Sequence, residues 1–262
     1  MLQSLRVSEA GMLAQQNKIE VVANNLANAT TPGFKRLITT LQAVDPAAPG
    51  FNGQLQNGQL AGGLPGGQLD VMLPGSLLRV GTSPDLSTGS WIDTGNRTDV
   101  ALDGQGMFVV KADGQDQYTR NGSFVVSAEG KLTTRAGHEV QGDGGPIEVP
   151  PAAVVEIALD GTIRANGDDV GRLKIVQPNA ATDMTPVGDS NFALRPGAEA
   201  PAPAAENSVR VQAGFLEASN ANPVSELVAM ITAQRIFEAG QRVLSAADET
   251  LRKATNDIPR TR

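Results

Sequence analysis

The chain has no cysteine and one histidine, His138, in 262 residues. Without thiols there is no disulfide, zinc-thiolate centre or thiol nucleophile. One histidine excludes paired-histidine metal motifs and leaves a single candidate base for a Ser-His-Asp triad. Aromatic residues are scarce, with 7 Phe, 1 Tyr and 1 Trp against 29 Gly and 16 Pro. A core must therefore be built from Val, Leu, Ile and Ala, with many turns between short elements. No apolar run approaches the ~18 residues of a membrane span, and the first 20 residues lack the ~7–15 residue apolar stretch of a secretory signal. Neither membrane insertion nor a cleaved export signal is expected. A basic excess is also missing: 21 Lys+Arg against 28 Asp+Glu give a net charge of -7, which argues against nucleic acid as a partner.

The charge that is present is unevenly divided. Residues 1–36 hold four basic and two acidic groups, 206–262 hold seven of each, and 37–205 hold 10 basic and 19 acidic groups. Near-neutral ends can crowd against copies of themselves, whereas an acidic middle suits a solvated surface. The contrast is a first hint of a polymer.

Both ends read as helices. Leu5, Met12, Ile19 and Leu26 recur at sevens, and the stripe stops at Thr30-Thr31-Pro32-Gly33, which predicts a helix end near Ala29. At the other end Asn222 can cap, Pro223 suits a first helical position, and the pattern continues to about Asn256. There Met230, Phe237, Leu244 and Leu251 recur at sevens, each followed three residues later by a small residue: Ala233, Gly240, Ala247 and Ala254. Gly240 costs roughly 1 kcal/mol in a helix interior, and close backbone approach is one reason to keep it. An ordinary buried helix would explain either stripe alone. Two end helices with no helical element between them need another surface to cover their seams, so these twelve positions are the expected assembly interface.

Between the helices, residues 91–176 read as all-β. Asp103-Gly104, Asp113-Gly114, Asn121-Gly122, Glu129-Gly130, Asp160-Gly161 and Asn166-Gly167 punctuate short apolar runs, and the spacing from Gly104 to Gly130 fits consecutive hairpins. Residues 37–76 carry only Asp45 and Asp70 and repeat Gly-Gln-Leu three times, as an arm or linker would. The fold class expected is α+β, organised as 1–36 (helix and signature turn), 37–76 (extension), 77–205 (all-β middle with linker) and 206–262 (C-terminal helix).

Catalytic chemistry finds no foothold. Gly104-Gln105-Gly106 begins like a dinucleotide fingerprint, but Val109 stands where a glycine is needed. Gly62-Gly63-Leu64-Pro65-Gly66-Gly67 lacks the Lys-Ser/Thr of a phosphate loop. Asp113, Asp116, Asp168 and Asp169 read as turn carboxylates, with no twelve-residue calcium loop around them. His138 has no nameable nucleophile beside it. No catalytic, cofactor or metal residue is assigned.

Four blocks carry a resemblance. Asn24-Asn25-Leu26-Ala27-Asn28 leads to Gly33-Phe34-Lys35-Arg36, preceded by Gly11-Met12-Leu13-Ala14-Gln15-Gln16. The others are Thr94 to Phe108, Tyr118-Thr119-Arg120-Asn121-Gly122-Ser123-Phe124, and Gly214-Phe215-Leu216-Glu217-Ala218-Ser219-Asn220. In content and order they resemble the flagellar basal-body rod and hook proteins, with Asn24, Asn25, Asn28, Gly33, Phe34 and Lys35 as the family signature. Leu73-Pro74-Gly75-Ser76 is similar to the distal-rod class; Asn222-Pro223-Val224 and the tail Ala247 to Leu251 are more similar to the proximal-rod class. The resemblance implies coiled-coil-like terminal helices paired in the inner core of a tube, a β domain displaced outward, and self-association with other rod and hook proteins. It also implies export through the flagellar apparatus without a cleaved signal, a place in the periplasm-spanning rod, and no cofactor. The competing expectation is a secreted β-domain glycan-binding module or glycan-cleaving enzyme with helical oligomerisation ends.

Overall fold

The computed structural model describes residues 2–44, 69–73, 76–150, 153–205 and 208–256. The chain is α+β and divides into two compact units: 1–26, 39–82 and 223–262 form one, and 27–38 and 83–222 the other. It therefore passes between the units four times. Most of the Gly-Gln-Leu arm lies outside the described residues.

The helical unit holds α1 (Leu2–Ala27) and α2 (Pro223–Asn256). α1 stops two residues before the expected end because Asn28 closes a turn, accepting the Thr31 N–H at 3.1 Å and the Thr31 hydroxyl on its side chain. α2 begins at Pro223, whose missing N–H is no loss in a first turn, and Glu226 faces the positive end of the dipole. β1 (Leu37–Val44), β2 (Leu69–Leu73) and β3 (Ser76–Pro84) form an antiparallel sheet in the order β1-β3-β2.

The second unit continues with β4 (Trp91–Asp93), β5 (Val100–Asp103), β6 (Met107–Ala112), β7 (Gln115–Thr119), β8 (Phe124–Val126), β9 (Leu132–Thr134), β10 (Glu139–Gly142) and β11 (Gly145–Pro146). It is completed by β12 (Val155–Ile157), β13 (Thr162–Ala165), β14 (Asp168–Arg172), β15 (Ile175–Gln177), β16 (Met184–Gly188), β17 (Asn191–Leu194), β18 (Ala202–Pro203), β19 (Arg210–Ala213) and β20 (Phe215–Glu217). The main sheet runs β16-β17-β7-β6-β10-β9-β8, with β12-β13-β14 as a separate meander and β19-β5 and β20-β4 as two ribbons. Its core is aliphatic, as the composition requires: Val100, Leu102, Val110, Leu132, Val140, Ile163 and Val211 surround an edge-to-face pair, Phe108 and Phe124, with centroids 5.1 Å apart.

The two-residue turns Asp113-Gly114 and Asn166-Gly167 have positive φ at both positions, the mirror-type hairpin turn that follows strand twist. The expectation of consecutive hairpins from Gly104 to Gly130 fails at two points. β5 pairs with β19, not β6, and β7 does not pair with β8. Gly122 serves close approach rather than a turn: a Cβ there would strike the Val100 carbonyl oxygen.

Candidate assembly site

The four sequence blocks converge on one buried ion cluster. Lys35 follows the signature turn, Arg120 follows β7, and Glu217 ends β20; their exposures are 1%, 3% and 1%. Lys35 Nζ donates to Glu217 Oε1 and to the Ser87 carbonyl, both at 2.6 Å. The Gly89 N–H reaches the same carboxylate oxygen at 2.8 Å. Arg120 Nη1 sits 3.5 Å from Glu217 Oε2, and the guanidinium also donates to the carbonyls of Leu102 (3.3 Å) and Gly104 (2.5 Å) in the second block. Burial pulls the Lys35 ammonium below its usual range even against the Glu217 carboxylate, and burial likewise lowers Arg120. Such a cluster stabilises only while each member is paired.

Around it the backbone is clamped. The Gly33 N–H donates to the Glu217 carbonyl at 2.7 Å, and Gly33 has φ of 67° and lies so close to Asn121 that a Cβ would overlap that residue's backbone nitrogen. Only glycine satisfies both demands. Asn220 accepts the Arg36 N–H at 2.7 Å and donates to the Asp85 and Ser87 carbonyls at 2.9 and 3.0 Å. Asp85 accepts the Ser87 N–H; partial burial pushes its carboxyl up, but the Ser87 bonds, Arg36 and Lys35 hold it below the usual carboxylate range.

In the helical unit, α1 and α2 touch at two described points. Asn25 Nδ2 donates to Glu226 Oε2 at 3.3 Å, both residues being 1% exposed. Further along, a Cβ built on Gly240 would lie 3.1 Å from Met12 Cγ. These contacts are thirteen residues apart on α1 and fourteen on α2, in opposite chain directions, so the helices lie antiparallel. Of the expected interface, Ala233 is buried, while Met12, Ile19, Leu26, Met230, Phe237, Gly240, Leu244 and Ala247 are half-buried. The side chains of Leu5, Leu251 and Ala254 lie outside the described residues. At Gly240 the small-residue seam meets the chain's own α1. Of the signature, Asn25, Gly33, Phe34 and Lys35 are buried, Asn28 is half-buried and Asn24 exposed.

The opposite face of α2 is apolar too. Val224, Leu227, Val228 and Ile231 follow i, i+3, i+4, i+7 spacing and are exposed, Val224 by 70%; Ile236 and Val243 are exposed too but lie further round the helix, where the first line has passed into Arg235, Glu238 and Arg242. This stripe was hidden by the stronger heptad signal on the other face. Arg120, Glu217 and Asn220 were quoted in the motifs but not assigned a role. Glu217 closes a short apolar strand, which is a local signal; Arg120 follows the polar strand β7 and Asn220 lies between β20 and α2, and neither carries one.

The family model described as "Flagella basal body rod protein" matches residues 5–35, "Flagellar hook protein FlgE/F/G D1 domain" matches 101–165, and "Flagellar basal body rod FlgEFG protein C-terminal" matches 212–257. The flagellar basal-body rod protein FlgF of Escherichia coli is 36% identical over 252 residues, 91% of each chain. The chain belongs to the flagellar basal-body rod protein family. FlgF of Salmonella typhimurium is 37% identical over 89% of each chain, and the rod protein FlgG of Agrobacterium fabrum is 32% identical over 95% of this chain and 96% of its own. As a rod-family member the chain is a structural component, not an enzyme, which agrees with the polymer reading and not with the glycan-directed one. Among the described residues no helix is long and apolar enough to cross a membrane.

Proposed function

We propose that the chain is a FlgF-type (proximal) rod subunit that self-associates, alongside other rod and hook proteins, into the inner core of a torque-transmitting tube, through the outer face of α2. The observation that carries this reading is the exposed stripe Val224, Leu227, Val228 and Ile231 in the first two turns of α2. A monomer gains nothing by placing four large aliphatic side chains in water along one helix face, whereas a helical polymer covers them at every repeat. The seam residues then serve assembly from within, by fixing how α2 is presented. The FlgF class is favoured by the 36% and 37% identities to two FlgF relatives against 32% and 31% to two FlgG relatives, while a third FlgF relative at 31% does not separate the classes. Export without a cleaved signal follows from the same family reading.

The test is a paired substitution, Val228→Asp with Ile231→Asp. Motility and rods seen by electron microscopy of basal bodies should be lost, while the purified variant melts within a degree or so of wild type, since exposed sites contribute little to the fold. Glu238→Gln, also exposed on α2, should leave assembly intact. Normal rods in the double variant would overturn the reading. Basal bodies lacking the proximal segment after deletion of the gene would support the class.

A further inference from the structure

A cavity of about 430 Å3 opens beside the ion cluster, within the β unit. Its lining includes Ser87, Thr88, Gln105, Asn179 and Gln177 with Arg120, the one charged residue on its wall among the described residues. The rest of the lining is apolar, with Leu86, Met107 and Pro178 among it, and in a chain of net charge -7 no carboxylate stands on this wall. Behind it the local balance is positive. Arg120 shares the Glu217 carboxylate with Lys35, so in the buried cluster two cations face one carboxylate. Arg120 is 3% exposed, is held in place by two carbonyls and Glu217, and yet borders the open space. Holding a guanidinium rigidly at the wall of a cavity of mixed polar and apolar lining removes the ordering cost that a surface arginine meets on binding an anion. The volume falls within the range of small-ligand sites.

We propose that this cavity takes a carboxylate, carried either by a small free acid or by an acidic side chain of a neighbouring protein, with Arg120 as the charge partner and the Thr88, Gln105 and Asn179 side chains as hydrogen-bond donors. The inference stands apart from the assembly role of α2. It needs no polymer and no particular rod class.

The experiment uses the full chain, with the arginine Nε–H resonances followed by NMR during titration with succinate and, separately, with a blocked tripeptide carrying a central aspartate. The expected result is a saturable shift of the Arg120 signal by at least one probe at millimolar concentration. Asn179→Asp and Gln105→Glu each place a competing carboxylate on the wall from an exposed position, and leave Arg120 and its carbonyl partners in place. Each should weaken binding by about tenfold or more. Tighter binding of the peptide assigns the carboxylate to a protein side chain, and tighter binding of succinate to a free acid. A shift that is absent or unsaturable with both probes, or unchanged in both variants, would overturn the proposal.

Discussion

Glu217 answers two buried cations with one carboxylate and also receives the Gly89 N–H. Removing it strands Lys35 and Arg120 in a low-dielectric interior, so Glu217→Ala is expected to cost about 3–5 kcal/mol of stability. Urea unfolding of the full chain checks this, and a loss near zero would mean the cluster is neutral to the fold. Asp85 offers a pH test. Its folded-state pKa is depressed, so its contribution is fully present above the unfolded value of about 4 and is lost as pH falls through the folded value. The stability gap between wild type and Asp85→Asn should therefore be open at pH 6 and close progressively on acidification below ~4. A gap that widened on acidification would reverse the sign assigned to the Ser87, Arg36 and Lys35 contacts.

At the scale of elements, Gly240 and Met12 form a size-matched pair across α1 and α2. A leucine at 240 would press on the Met12 side chain and should destabilise the helical unit by roughly 1–3 kcal/mol. Adding Met12→Ala should return most of that loss, as circular dichroism melts of the single and double variants can show. If Met12→Ala only adds to the damage, the two helices do not meet at this point in solution. Both helices were legible beforehand because a 3.6-residue period repeats over many turns, and Pro32 and Pro223 punctuate them. The mirror-type turns were legible because only a few residue types accept positive φ. Strand partners were not. β5 finds β19 more than a hundred residues away, and Lys35 finds Glu217 across 182 residues. Local pattern carries no record of such pairing, and the glycines at 104 and 122 imitate turns while serving backbone approach.

For the whole molecule, the β unit is discontinuous in sequence and cannot be cut at the Pro/Ala stretch that looks like a linker. A fragment of residues 83–205 lacks β19 and β20, leaving β4 and β5 with unpaired edges and Arg120 without its carboxylate. Exposed strand edges invite association, so this fragment should aggregate. A fragment of residues 83–222 co-expressed with a peptide of 27–38 should be soluble and show a cooperative melt. Sedimentation and calorimetry separate the two outcomes. Equal behaviour would mean that the ion cluster and the β19 and β20 ribbons are dispensable.

The chain crosses between its two units at 26/27, 38/39, 82/83 and 222/223, and each crossing lies within about seven residues of Gly33–Arg36, Asp85–Gly89 or Glu217–Asn220. All four covalent exits from the β unit are thus knotted to one another by the same few side chains. A pull or twist arriving through the helices is shared among parallel segments that must give way together, where a lone exit strand would peel from its sheet one hydrogen bond at a time. In the proposed rod, the buried lysine, arginine and glutamate tie these exit segments of the β unit to one another, and the force needed to break that cluster sets how readily the segments can be drawn apart.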